Sequence, residues 1–322
     1  MDSGLLLAFG IGFAGVIAAV IVSLTRNWQR RFELFAYQSD LRVSDEIITA
    51  AVIRRLRRTD LGSAVGAAVG LIVSASLVGI ARPAGVSAFL WAAILPLMLL
   101  FVTAGAVASS LTDELFSPVH RSPRVARPTA VSIRDYISPG QFWLVPVVVV
   151  AAVVLTLVGV VLSSFGVLDP ARFLQGSTIW ATPVAVVVTL GGFVVARLIV
   201  AQKQPASDSL ELAWSDALRA DTFRMLWVFE SIMAWLAVVL AGIGILRALP
   251  VPIGASWAGL ILTLAGNFGI LAMSRVFNYG AGRSYFRYRL WPSLGDVGEI
   301  VDDSDEDSVD AAADAEIEER RS

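Results

Sequence analysis

Cysteine is absent and histidine occurs once, at His120, so this chain forms no disulfide and cannot build a Cys/His metal cluster by itself. Lysine also occurs only once. Lys203 lies between two glutamines, which removes any Gly-rich phosphate loop ending in Lys-Ser/Thr. His-Glu-x-x-His and Gly-x-Ser-x-Gly motifs are missing as well. The run Asp302, Asp303, Asp305, Glu306, Asp307 lacks the central Gly and terminal Glu of a calcium loop. The sequence therefore offers no catalytic, cofactor-binding or metal-ligating set, and the expected class is non-enzymatic, with no cofactor and no nucleic-acid partner. Charge is scarce too, at 16% of residues against about 25% in ordinary soluble domains.

Apolar residues fill that space. They make up 56% of the 322 residues, above the roughly 45–50% of a soluble domain. They gather in seven runs nearly free of charge: 5–24, 62–81, 86–111, 142–164, 178–200, 225–246 and 255–276. About 20 helical residues cross a hydrocarbon core of about 30 Å, so the expected fold is all-α, a polytopic transmembrane bundle over 1–295 with the lipid bilayer as its first partner. The first run is read as a permanent span and not a cleaved signal, because no basic residue precedes it and Arg26, Arg30 and Arg31 follow it.

Twenty of the 25 basic residues fall in alternate gaps, at 25–61, 112–141, 201–224 and after 278. Basic loops stay in the cytoplasm. This places the protein in the cytoplasmic membrane with the N-terminus outside and the C-terminus inside. After the first span the chain reads as three hairpins, each turning outside through a short link with one Arg and at least one Pro: Arg82-Pro83, Asp169-Pro170 with Arg172, and Arg247 with Pro250 and Pro252. Residues 296–322 are dominated by acid and form an expected disordered cytoplasmic tail.

The inner segments differ from one another. Leu41, Ile48, Val52 and Leu56 share a stripe bordered by Arg54, Arg55, Arg57 and Arg58, which predicts a helix lying on the anionic inner leaflet with Arg55 and Arg58 snorkelling. Prolines 118, 123, 128 and 139 predict an extended basic loop. Leu210, Ala213, Ala217 and Leu218 predict a helix that starts near Ser207 or Asp208 and runs on into the sixth span. Arg283, Tyr285, Phe286, Arg287, Tyr288, Arg289 and Trp291 predict an interfacial aromatic and basic belt.

Within the spans, Glu230 is the one carboxylate, about 8 Å deep at 1.5 Å per residue. Arg197 and Arg275 lie at similar depth, so the expected arrangement is a structural ion pair with one of them. The alternative is a transport site in which Glu230, Asn267 and Pro96 face one cavity between helices broken at Pro96, Pro146 and Pro183. Gly62, Gly66, Gly70 and Ser74 recur every four residues and form a ridge for close packing, either against a helix of the same chain or in a homo-oligomer. Asp113 and Glu114 are adjacent in sequence, so they project to different sides of a helix and are not expected to act together.

Arg134-Asp135-Tyr136, and Asp216-Ala217-Leu218-Arg219, resemble segments of multi-pass membrane proteins of high-GC bacteria that have no assigned activity. The resemblance implies a membrane location and no particular substrate. The functional expectation is a component that binds a membrane or cytoplasmic protein partner, acts in assembly or regulates, with a small-solute transporter or permease subunit as the alternative.

Overall fold

A computed structural model describes residues 13–14, 17, 21, 25–41, 46–81, 87–116, 131–174, 178–202, 209–249, 255–278 and 284–292. Among them, helix is the only regular structure. The helices are α1 (Trp28–Ser39), α2 (Glu46–Ala81), α3 (Ser87–Phe116), α4 (Pro139–Ser164), α5 (Pro170–Leu174), α6 (Thr178–Ala201), α7 (Ser209–Ala248), α8 (Ala255–Asn278) and α9 (Tyr285–Leu290), with a 3-10 turn at Ile133–Asp135. Most of the first expected span, His120 and the basic loop before 131, the outer links at 82–86 and 250–254, and the acidic tail lie outside the described residues.

Among the described residues five stretches are long and apolar enough to cross a membrane: Glu46–Leu77, Pro96–Glu114, Pro139–Ser164, Pro170–Ala201 and Ser209–Ala248. They overlap the second to sixth expected spans. The described apolar part of α8, Leu264–Phe277, is shorter. On α4, Val147, Val150, Val154, Leu157 and Val161 are exposed, and on α6 so are Val187, Leu190, Val194 and Leu198. Apolar faces this continuous are covered by lipid or protein, not by water.

The helix α7 is the axis of the bundle, packing against α3, α4, α6 and α8 along its length and against α5 and α9 near its two ends. Glycines and one indole set the spacing to α8: Trp235 donates to the Gly266 carbonyl at 3.0 Å, and a methyl group on Gly269 would lie 2.2 Å from the Trp235 ring. Across α4 and α6 the hydroxyls of Thr156 and Thr182 meet at 2.7 Å. At the far end Phe173 lies on Gly159, and the Asp169 N–H donates to the Ala248 carbonyl.

The ridge of small residues packs α2 onto α3 of the same chain. A Cβ on Gly62 would come within 2.4 Å of the Gly105 carbonyl oxygen, and one on Gly66 within 2.0 Å of the Phe101 carbonyl oxygen. The contact is reciprocal, since a Cβ on Gly105 would lie 2.1 Å from the Gly62 oxygen. Only hydrogen side chains let two backbones approach this closely. Ser74 closes the ridge, buried.

Three expectations are corrected, two about the charged segments and one about the prolines. The helix predicted to lie on the leaflet at 41–56 is continuous with the span after it, as one 36-residue helix α2, about 54 Å long at 1.5 Å per residue. A straight rod cannot lie flat and cross at once, and its stripe faces protein instead: Leu41, Val52 and Leu56 belong to the buried core. Arg55 does not snorkel either, because acceptors on α3 and α7 engage it. Two residues of the predicted interfacial belt are turned inward, Phe286 and Arg287, which are buried, while Tyr288 is exposed and Arg283 lies outside the described residues. Finally, Pro96, Pro146 and Pro183 lie inside continuous helices, so none of the three spans is broken. The helix starting at Ser209 does run on through the sixth span, as expected.

Candidate functional site

The charged residues that sequence spacing scattered over 250 positions meet at one end of the bundle. There α2 and α7 are longer than a span requires, and their polar N-terminal turns pack beside the C-terminal turns of α3. Helix α1, capped by the Asn27 side chain accepting from the Arg30 N–H, closes over this end, with Phe32 stacked on Trp214 at 5.3 Å.

Asp216 sits at the centre, with 0% of its surface exposed. An isolated buried carboxylate costs several kcal/mol, and here donors meet it: the Tyr136 hydroxyl at 2.8 Å and the Trp291 indole N–H at 2.9 Å. Asp216 therefore ties α7 to the turn before α4 and to the residue after α9. Arg287, 2% exposed, donates to the carbonyls of Asp40 and Trp291 and holds α9 against the end of α1. Asp40 itself takes a left-handed backbone conformation (φ 54°) to cap α1, a conformation that Asp tolerates better than most residues.

A second cluster joins α2, α3 and α7. Arg55 donates to Glu114 at 2.5 Å, to the Thr222 hydroxyl at 2.7 Å and to the Leu218 carbonyl at 3.3 Å. Arg219, 4% exposed, lies 4.0 Å from the other Glu114 oxygen and donates to the Gln202 carbonyl. The neighbouring Asp113 turns to Arg58 at 2.6 Å. The two adjacent acids thus serve different arginines, as their positions on a helix require. Asp60 collects Arg26, just before α1, and Arg31, in its first turn.

At the rim, Asp135 accepts from the Ser132 N–H and hydroxyl and from Arg289. Partial burial pushes its carboxyl up, but the Ser132 bonds and the Arg289 charge outweigh this and hold it below the ordinary value of 3.8. A depressed folded-state value stabilises the fold above pH 3.8, and that contribution is lost as pH falls through the lower folded value. Arg289→Ala is expected to move the Asp135 titration upward in carboxyl-detected NMR. An unmoved titration would contradict the clasp.

Glu230 is 0% exposed, and neither of its carboxylate oxygens has a hydrogen-bond partner among the described residues. Among the described residues no ion pair joins Glu230 to Arg197 or Arg275, both of which lie on exposed faces. Glu230 rests instead on bare backbone of α6, where a Cβ on Gly192 would sit 1.4 Å from Oε1. Asn267 is half-buried on α8, and its amide oxygen has no hydrogen-bond partner among the described residues. Pro96 is buried on α3.

The Glu230–Gly192 contact makes a specific prediction. Gly192→Ala alone is expected to destabilise the fold by about 1–3 kcal/mol through overpacking. Glu230→Ala removes the clash, so the double variant should be more stable than the sum of the singles by about 0.5–3 kcal/mol. Additive effects in thermal unfolding would disprove the contact.

The spacing did not reveal Gly105, Gly192 or Gly269, because a lone glycine in an apolar run looks the same whether it faces lipid or a helix. The Tyr136–Asp216 bond did carry a signal. It joins the two short segments on which the resemblance rests. Among the described residues no group of three or more His, Cys, Asp or Glu side chains gathers as a metal site would require. No family model, no curated protein and no solved structure matches the chain.

Proposed function

We propose that the chain is a seven-span protein of the cytoplasmic membrane, its N-terminus outside and its basic end and acidic tail at 296–322 inside, and that it acts without enzymatic chemistry as a partner-binding, assembly or regulatory component. The observation that supports this most is the packed platform at the basic end. Its buried Asp216 and Arg219 and half-buried Glu114 and Arg55 bind helix to helix, while Arg30, Arg54 and Arg57 stand exposed around it. A rigid, cation-bearing surface suits recognition of an acidic protein partner.

Co-purification from native membranes tests this reading. A partner retained at constant stoichiometry should be lost from Arg54→Glu/Arg57→Glu, and deletion of 296–322 should weaken it if the tail shares the contact. An unchanged set of associated proteins would count against the platform's role. The transporter reading keeps one supporting observation, the unpaired acid Glu230. A solute flux in proteoliposomes of the purified protein, abolished in Glu230→Gln, would favour that reading over the first.

A further inference from the structure

A groove of about 460 Å³ opens at the basic end between the 3-10 turn, the first turns of α4 and the last turns of α6. Its walls are apolar, chiefly Phe142, Phe193 and Val200, and two guanidiniums stand in it, Arg134 and Arg197. From Phe193 to Val200 the groove follows α6 for about 10 Å at 1.5 Å per residue, so it runs from the end of the helix toward the apolar zone. The volume falls in the range of about 300–1,000 Å³ of pre-formed ligand sites.

Neither Arg134 nor Arg197 has a carboxylate partner among the described residues. The closest acid in sequence, Asp135, is turned away to Ser132 and Arg289. Arg134 is held by its face, its guanidinium carbon 5.2 Å from the centre of the Phe142 ring, which leaves the edge donors available. Trp143 is exposed beside it, the position of an interfacial aromatic anchor.

We infer that this groove binds an anionic phospholipid, with the phosphate held by Arg134 and Arg197 and an acyl chain laid along Phe193 and Val200. Charge complementarity selects the occupant: two guanidiniums without a carboxylate partner among the described residues, at the mouth of an apolar channel, match a net negative phosphate joined to a hydrocarbon chain, whereas a zwitterionic lipid balances its phosphate with its own ammonium and a free anion has no chain. This rests on the membrane embedding of α4 and α6 and is independent of the partner-binding role, so failure of one leaves the other standing.

Native mass spectrometry of the detergent-purified full chain, titrated with phosphatidylglycerol or phosphatidylcholine, tests it. Phosphatidylglycerol is expected to bind with a clear preference, and Arg134→Gln/Arg197→Gln should reduce that preference about tenfold or more, since each basic residue at an anionic surface contributes about fivefold. Arg54→Gln should leave it unchanged. Val200→Trp, which fills the channel and keeps both charges, should also lower binding. Equal binding of the two lipids, a preference untouched by the Arg134/Arg197 variant, or displacement of the lipid by millimolar inorganic phosphate would each overturn the assignment.

Discussion

Glu114→Ala is expected to loosen the basic end of the bundle by about 3–5 kcal/mol, the usual cost of leaving a buried charge without its partner. Two cations depend on this one carboxylate: Arg55, paired at 2.5 Å, and Arg219, 4% exposed and 4.0 Å from the second oxygen. Total stabilities of about 5–15 kcal/mol make such a loss a large fraction of the whole. Hydrogen exchange should rise in the first turns of α7 and in α2 around Arg55, with the apolar middle of α4 still protected. Asp113→Ala next door is the control, because its arginine is 60% exposed and exposed pairs contribute about 0–1 kcal/mol. Equal effects of the two substitutions would mean that Glu114 does not join the helices.

Gly66→Val should separate α2 from α3. A Cβ at Gly66 lies 2.0 Å from a backbone oxygen that cannot swing aside, whereas ordinary contact begins at 3.4 Å, so the helices must part by about 1.4 Å. Parting them also loosens the Gly62–Gly105 approach on the same ridge. Overpacking usually costs about 1–3 kcal/mol, and a rigid backbone on both sides places this case at the upper end. Thermal unfolding in detergent should show a clearly lower midpoint. Gly191→Ala, with nothing within 4 Å of the added methyl, should be neutral or gain up to about 1 kcal/mol of helix propensity. If both variants unfold alike, the close approach of α2 and α3 is wrong.

What was legible in the sequence followed from local rules. Apolar runs of span length gave the helices, and small residues at every fourth position gave the ridge, since both are statements about one helix. The partner of that ridge was not legible, because Gly105 has no such pattern around it. The segment with Arg55 and Arg58 was misread for a related reason. An apolar stripe edged by arginines fits a leaflet surface or the extension of a bundle equally well, and only Glu114 and Thr222, 59 and 167 positions away, decide between them. Asp216 shows the same limit, with its Tyr136 and Trp291 donors 80 and 75 positions distant. Glu230 was assigned a partner because buried charges usually have one. The helix rotation that points it at Gly192 is set by packing that spacing alone does not encode.

The proposed topology puts the apolar helices across a bilayer with the charged platform on its inner side. Because the chain has no native cysteine, single cysteines can be read with a membrane-impermeant maleimide in cells without interference. Gly166→Cys, at the far end, should label in intact cells, Arg57→Cys only after the membrane is opened, and Val154→Cys in neither state. Labelling of Arg57→Cys from outside in intact cells, or of Val154→Cys at any stage, would contradict it.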